Sequence, residues 1–104
     1  MIVIEKNEGA KIPHSVEGTK ITFNDDLTIN LASREQDWPV HIDICFDEDR
    51  ALVIGTAVGR AYVAQIDIPE RQYVEEGEEG DEEVQRVPVP LDMDAVTLTL
   101  WSIE

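Results

Sequence analysis

The chain has 104 residues, 42% of them hydrophobic, enough for one core in a single domain spanning 1–104 without covalent staples. Its 23 acids face 8 bases, and the resulting net charge of −15 argues against direct binding to nucleic acid and to anionic membranes, both of which repel it. No stretch approaches the roughly 20 apolar residues of a membrane span, and the single cysteine, Cys45, allows neither an internal disulfide nor a cysteine-based zinc site.

Met1 to Lys6 lacks a basic leader region and a small-residue cleavage site, so it reads as a first strand rather than a signal peptide. A reducing, cytoplasmic compartment is the expectation. Ile12 to Val16 and Thr19 to Phe23 alternate apolar and polar residues around Glu17-Gly18, a candidate two-residue turn. His14 shares the face of Ile12 and Val16, where a packed or rim histidine is a commoner outcome than a ligand.

Lys20–Phe23 and Leu27–Leu31 are separated by Asn24-Asp25-Asp26. A two-residue loop would set Phe23 against Thr28, apolar against polar on one face. A three-residue loop pairs Phe23 with Leu27 and Ile21 with Ile29, so the buried faces agree. Ser33-Arg34-Glu35-Gln36 has the form of a helix capping box, but Pro39 follows closely and biases Trp38 to an extended shape, so one helical turn at most is expected.

Val40 to Phe46 is the clearest strand, with Val40, Ile42, Ile44 and Phe46 on one face and His41, Asp43 and Cys45 on the other. The polar trio resembles a nucleophile or metal set only on paper. Alternate strand residues lie about 6.8 Å apart, so His41 and Cys45 are ~13 Å apart at Cα, far beyond hydrogen-bond reach of about 3 Å. The expectation is a polar outer face with a semi-buried thiol. Across Asp47 to Arg50, face matching pairs Phe46 with Leu52 and Ile44 with Ile54. Asp47 onward fails the calcium-loop pattern, since Ala51 and Leu52 stand where an acid or amide and a glycine are needed.

Gly55 to Gly59 lacks the Gly-Lys-Ser/Thr of a phosphate loop and reads as a hairpin turn or bulge. Tyr62, Ala64, Ile66 and Ile68 share one face of the next strand. Residues 75–83 hold seven acids, two glycines and nothing apolar, the composition of a mobile hairpin loop. The return strand, Val84 to Leu91, carries Pro88 and Pro90, whose missing N–H groups place it at a sheet edge. Val96 to Ile103 alternates again. Trp38 and Trp101 read as core or interface residues rather than a sugar platform, because the acids cluster in turns away from aromatic rings.

The fold expected is all-β, an antiparallel sandwich or barrel-like domain of about seven to eight strands. No catalytic, cofactor-binding or metal-ligating residue emerges, no cofactor is implied, and the chain is not read as an enzyme. A small-molecule ligand is not specified. The leading functional expectation is a protein-binding or assembly module that meets a protein partner or copies of itself. The alternative is an acidic decoy for the basic groove of a nucleic-acid-binding protein. Its weakness is that the acids concentrate in turns rather than in a row along one face.

Overall fold

The alternation of β-branched and polar residues resolves into ten strands in a computed structural model that describes residues 1–76 and 85–103. In chain order these are β1 (Ile2–Glu5), β2 (His14–Glu17), β3 (Lys20–Phe23), β4 (Leu27–Asn30), β5 (Val40–Phe46), β6 (Leu52–Ile54), β7 (Ala61–Ile68), β8 (Tyr73–Glu76), β9 (Gln85–Pro88) and β10 (Thr97–Leu100). The protein is all-β, as expected. The strand number exceeds the expected seven to eight because most strands span only three or four residues, too few for alternation to mark each one.

Five strands form one sheet in the order β1-β10-β7-β5-β6, three form a second in the order β2-β3-β4, and β8 pairs with β9 in a separate ribbon. All pairings are antiparallel except β1 with β10. One core joins the two larger sheets. Ile42, Ile44, Ala64, Ile66, Ile68, Leu98 and Leu100 from the five-stranded sheet cluster with Ile12, Ile21, Phe23, Ile29 and Leu31 around the three-stranded one. Each large apolar side chain buried there contributes on the order of 1.5–3 kcal/mol relative to exposure.

The loop registers follow the faces. Phe23 pairs with Leu27 and Ile21 with Ile29. Asn24 and Asp25 take φ values of 54° and 51°, and the Asp26 N–H donates to the Phe23 carbonyl at 3.0 Å, the arrangement of a type I′ turn. Phe46 pairs with Leu52 and Ile44 with Ile54. The Asp47 carboxylate fixes that loop by accepting from the N–H groups of Asp49 and Ala51 at 2.8 and 2.9 Å.

The β2–β3 turn differs from expectation. Glu17 pairs with Lys20, so the loop is Gly18-Thr19 rather than Glu17-Gly18. Sliding a two-residue loop by one position shifts the pairing by two, which leaves every side chain on its original face. Hydrophobic alternation therefore cannot separate the two choices. Gly18, at φ 60°, supplies the left-handed conformation at the first loop position.

Gly55–Gly59 is neither a hairpin turn nor a simple bulge. β6 and β7 flank opposite edges of β5, and residues 55–60 carry the chain from one to the other. A Cβ at Gly59 would lie 2.7 Å from the Cys45 Cβ and 2.9 Å from its Sγ, so the crossing passes directly over the outer side of β5 at Cys45. Glycine permits that approach.

The helical content among the described residues is two 3₁₀ turns, Ala32–Arg34 and Met93–Ala95. The first lies in the segment foreseen, but without the capping box: its N-cap is Leu31, and the Ser33 hydroxyl donates to the Asn30 carbonyl instead. The second is capped by the Asp92 carboxylate, which accepts from the Asp94 N–H. Trp38 is exposed, not core. In the ribbon, Pro88 ends β9, which has its own edge. Of the expected mobile loop at 75–83, Glu75 and Glu76 belong to β8, and the remainder lies outside the described residues. No helix among the described residues is long and apolar enough to cross a membrane.

Candidate protein-interaction face

Because β5, β7 and β10 alternate, the residues between the core positions point away from the three-stranded sheet. His41 and Asp43 on β5 stand opposite Asp67 and Gln65 on β7, which stand opposite Thr97 and Thr99 on β10. Ile2 and Ile4 on β1 pair with the same two threonines and extend the row to the sheet edge.

A continuous hydrogen-bond path runs across this face. The half-exposed His41 ring lies between two carboxylates, with Nδ1 2.7 Å from Asp67 and Nε2 2.8 Å from Asp43. The same Asp43 oxygen accepts from the Gln65 amide nitrogen at 3.0 Å. The Gln65 amide oxygen in turn accepts from the Trp101 indole N–H at 2.9 Å, which fixes the orientation of the amide. The Trp101 ring stacks on Tyr62 at 5.2 Å and 26°, and the Lys6 ammonium sits 5.7 Å from its centroid.

The electrostatics follow from these partners. The hydrogen bond to Asp67 chiefly raises the His41 pKa above its ordinary value, aided by Asp43 and opposed by partial burial. The Asp43 pKa is lowered, first by the Gln65 hydrogen bond and then by His41. A protonated His41 donates from both nitrogens at once. Neither nitrogen is then left to act on an outside molecule.

Cys45 continues the row but takes no part in the path. It is buried beneath the 55–60 crossing, and burial, followed by the charge of Asp43, pushes its thiol pKa up. An elevated pKa and a covered sulfur make it a poor nucleophile. His14 is exposed on β2 against the Phe23 ring, in a different sheet. The structure thus joins His41 to Asp43, as their shared face allowed, and separates both from reactive chemistry at Cys45. No group of three or more His, Cys, Asp or Glu residues with metal-holding geometry occurs among the described residues.

Sequence reading alone missed Asp67 and Gln65 as partners of His41 and Asp43, and Trp101 and Tyr62 beyond them. Tyr62, expected on the face of Ala64, Ile66 and Ile68, lies on the outer one because the register shift after Ile44 sets it opposite Cys45. A signal was present: pairing Val40–Phe46 antiparallel with Tyr62–Ile68 places His41 opposite Asp67 once the register is known. Beside the path, a shallow crevice of about 250 Å³ is lined by His41, Asp67 and Thr97 together with Pro39, Pro69 and Ala95. No protein-family model, curated protein or solved structure matches the chain.

Proposed function

We propose that this domain is a non-enzymatic protein-binding and assembly module that presents the outer face of its five-stranded sheet. The observation that carries the reading is the combination on one face of exposed apolar groups, Ile2, Ile4 and Tyr62, with a polar path already hydrogen-bonded within the protein. Such a face loses little side-chain freedom on binding and brings few unsatisfied polar atoms into an interface. Tyr62 and Trp101 are the residue types that anchor interfaces, and the crevice beside His41 offers a seat for a partner's side chain.

Two further features support a role without catalysis: both His41 nitrogens are engaged, and the Cys45 thiol is covered. A reducing cytosol, where Cys45 stays a thiol, fits the same reading. The acidic-decoy alternative rests on net charge, and Asp43 and Asp67, the acids in the row at the centre of the face, are both paired to His41.

The test is capture from the source organism's lysate with the full chain, in steps of rising salt, beside a Tyr62→Ala/Ile4→Ser variant. Loss of a salt-resistant partner only from the variant supports the face. If the variant retains every partner, the face is not the binding surface. Release of a basic nucleic-acid-binding protein at moderate salt from both promotes the decoy instead.

A further inference from the structure

We propose that the cavity beside the second 3₁₀ turn, Met93–Ala95, seats a lysine side chain of a protein partner. This rests on reading the domain as a protein-binding module and names the chemistry of its partner. The cavity has a volume of about 210 Å³. Pro69, Val89, Pro90, Leu91 and Ala95 give it apolar walls. Glu35, Glu70 and Asp92 line it as well, and among the described residues no base does. It shares Pro69 and Ala95 with the crevice beside His41, so a partner lying on the outer face comes within reach of both.

The lining segments are tied to one another before anything binds. The Arg71 N–H donates to the Gln36 carbonyl and the Val89 N–H to the Gln72 carbonyl, each at 2.8 Å. Asp92 caps the 3₁₀ turn, its Oδ1 accepting from the Asp94 N–H at 3.0 Å. A seat held in this way loses little freedom when it is filled.

Glu35 is the group that calls for a cation. Its side chain is 10% exposed, and its one side-chain contact is a long bond from the Arg71 Nε to Oε1 at 3.4 Å. That guanidinium is divided: Nη1 faces Asp37 at 3.4 Å and Nη2 donates to the Glu35 carbonyl at 2.8 Å. Oε2 accepts no hydrogen bond from the described residues. No buried side-chain oxygen among them lacks a partner, so Oε2 keeps an opening to solvent, and the cavity that Glu35 lines supplies one. Glu70 and Asp92 form no ion pair among the described residues. Charges partly removed from water attract more strongly than those in bulk solvent.

Shape and charge together select the occupant. A lysine has a flexible apolar stem that buries along apolar walls, and an ammonium with three donors. Carboxylates on three separate segments suit those diverging donors better than the rigid planar fork of arginine. The other described cavities lack the combination. His41 and Asp67 in one are paired to each other, Arg60 lines a second, and a third has a single acid, Asp25, beside His14. The net charge of −15 draws a basic partner toward the domain.

Titration of n-butylammonium, the lysine side chain without its backbone, into the isotope-labelled full chain tests the seat by NMR. Saturable shifts are expected at Glu35, Glu70, Leu91 and Ala95. Butanol, which lacks the charge, and ammonium chloride, which lacks the stem, should each bind about tenfold more weakly. Glu70→Gln/Asp92→Asn keeps the side-chain shapes and a capping oxygen at residue 92, and should weaken n-butylammonium about fivefold. If that variant fails to fold, the wild-type series decides. Equal binding of butanol, tighter binding of n-butylguanidinium, indifference to Glu70→Gln/Asp92→Asn, or unsaturable shifts spread over the acids generally would each overturn the proposal. In the lysate capture, a partner lost from Tyr62→Ala/Ile4→Ser yet kept by Glu70→Gln/Asp92→Asn would sink the lysine seat and leave the module reading standing.

Discussion

The two faces of β5 and β7 use the same strands to different ends. On the inner face, Ile42, Ile44, Ala64, Ile66 and Ile68 are buried and interchange contacts within one cluster. On the outer face, His41, Asp43, Gln65 and Asp67 remain partly exposed and are held by direction-specific hydrogen bonds. Burial is non-directional and summed over area, so the inner face tolerates substitutions that keep volume. The outer face gains little net stability per bond but is exact about which atoms meet. The contrast separates what makes the chain fold from what gives it a defined surface.

Ile66→Ala should test the inner face most severely. Ile66 is fully buried, and its truncation is expected to cost about 2–5 kcal/mol in denaturant unfolding. A smaller loss would mean that the core collapses around the gap. Gly59→Ala sits where outer-face packing is tight: the new Cβ would meet the Cys45 Cβ at 2.7 Å, and a loss of about 1–3 kcal/mol is expected. An unchanged midpoint would show that the crossing lifts away from β5 at little cost.

Trp101→Phe keeps most of the ring and removes the donor to Gln65, so unfolding should register a loss of about 1 kcal/mol. A null result would indicate that water replaces the indole N–H without penalty. The smallest effect belongs to His41→Asn, below about 1 kcal/mol because the group is half-exposed. Its sign depends on pH. The His41 pKa is raised in the fold, so its contribution is full below its ordinary value of 6.5 and is lost as pH rises through the raised value. The Asp43 pKa is lowered, so its contribution is present above 3.8 and is lost as pH falls through the lowered value. The wild-type advantage over His41→Asn should therefore be largest between pH 3.8 and 6.5 and shrink toward alkaline pH. A gap that widens above pH 7 would contradict the pairing.

The inner face was the legible part of the chain. Apolar parity placed Phe23 on Leu27 and Phe46 on Leu52, because a one-residue slip inverts a strand and exposes its buried side. Parity is blind to slips of two, so it cannot tell the observed loop Gly18-Thr19 from Glu17-Gly18. The outer face was hard to read for a related reason. Spacing within β5 excludes a His41–Cys45 pair, but the contacts that matter reach across strands, to Asp67 and from Gln65 to Trp101. Those pairings depend on which strands are neighbours, and no local pattern reports sheet order. The route of residues 55–60 over Cys45 was hidden likewise, since Gly55 and Gly59 signal a turn without saying where it leads.

The parallel pairing of β1 with β10 joins Ile2 to Thr97, partners 95 positions apart (97 − 2) along the chain. A ribosome adding about 5–20 residues per second takes on the order of 5–20 s to make the second partner after the first. Through that interval β1 lacks the strand it pairs with in the sheet, and only the synthesis of Thr97–Leu100 supplies it. β1 is thus made well before the strand that secures it in the sheet, and its place there is settled late.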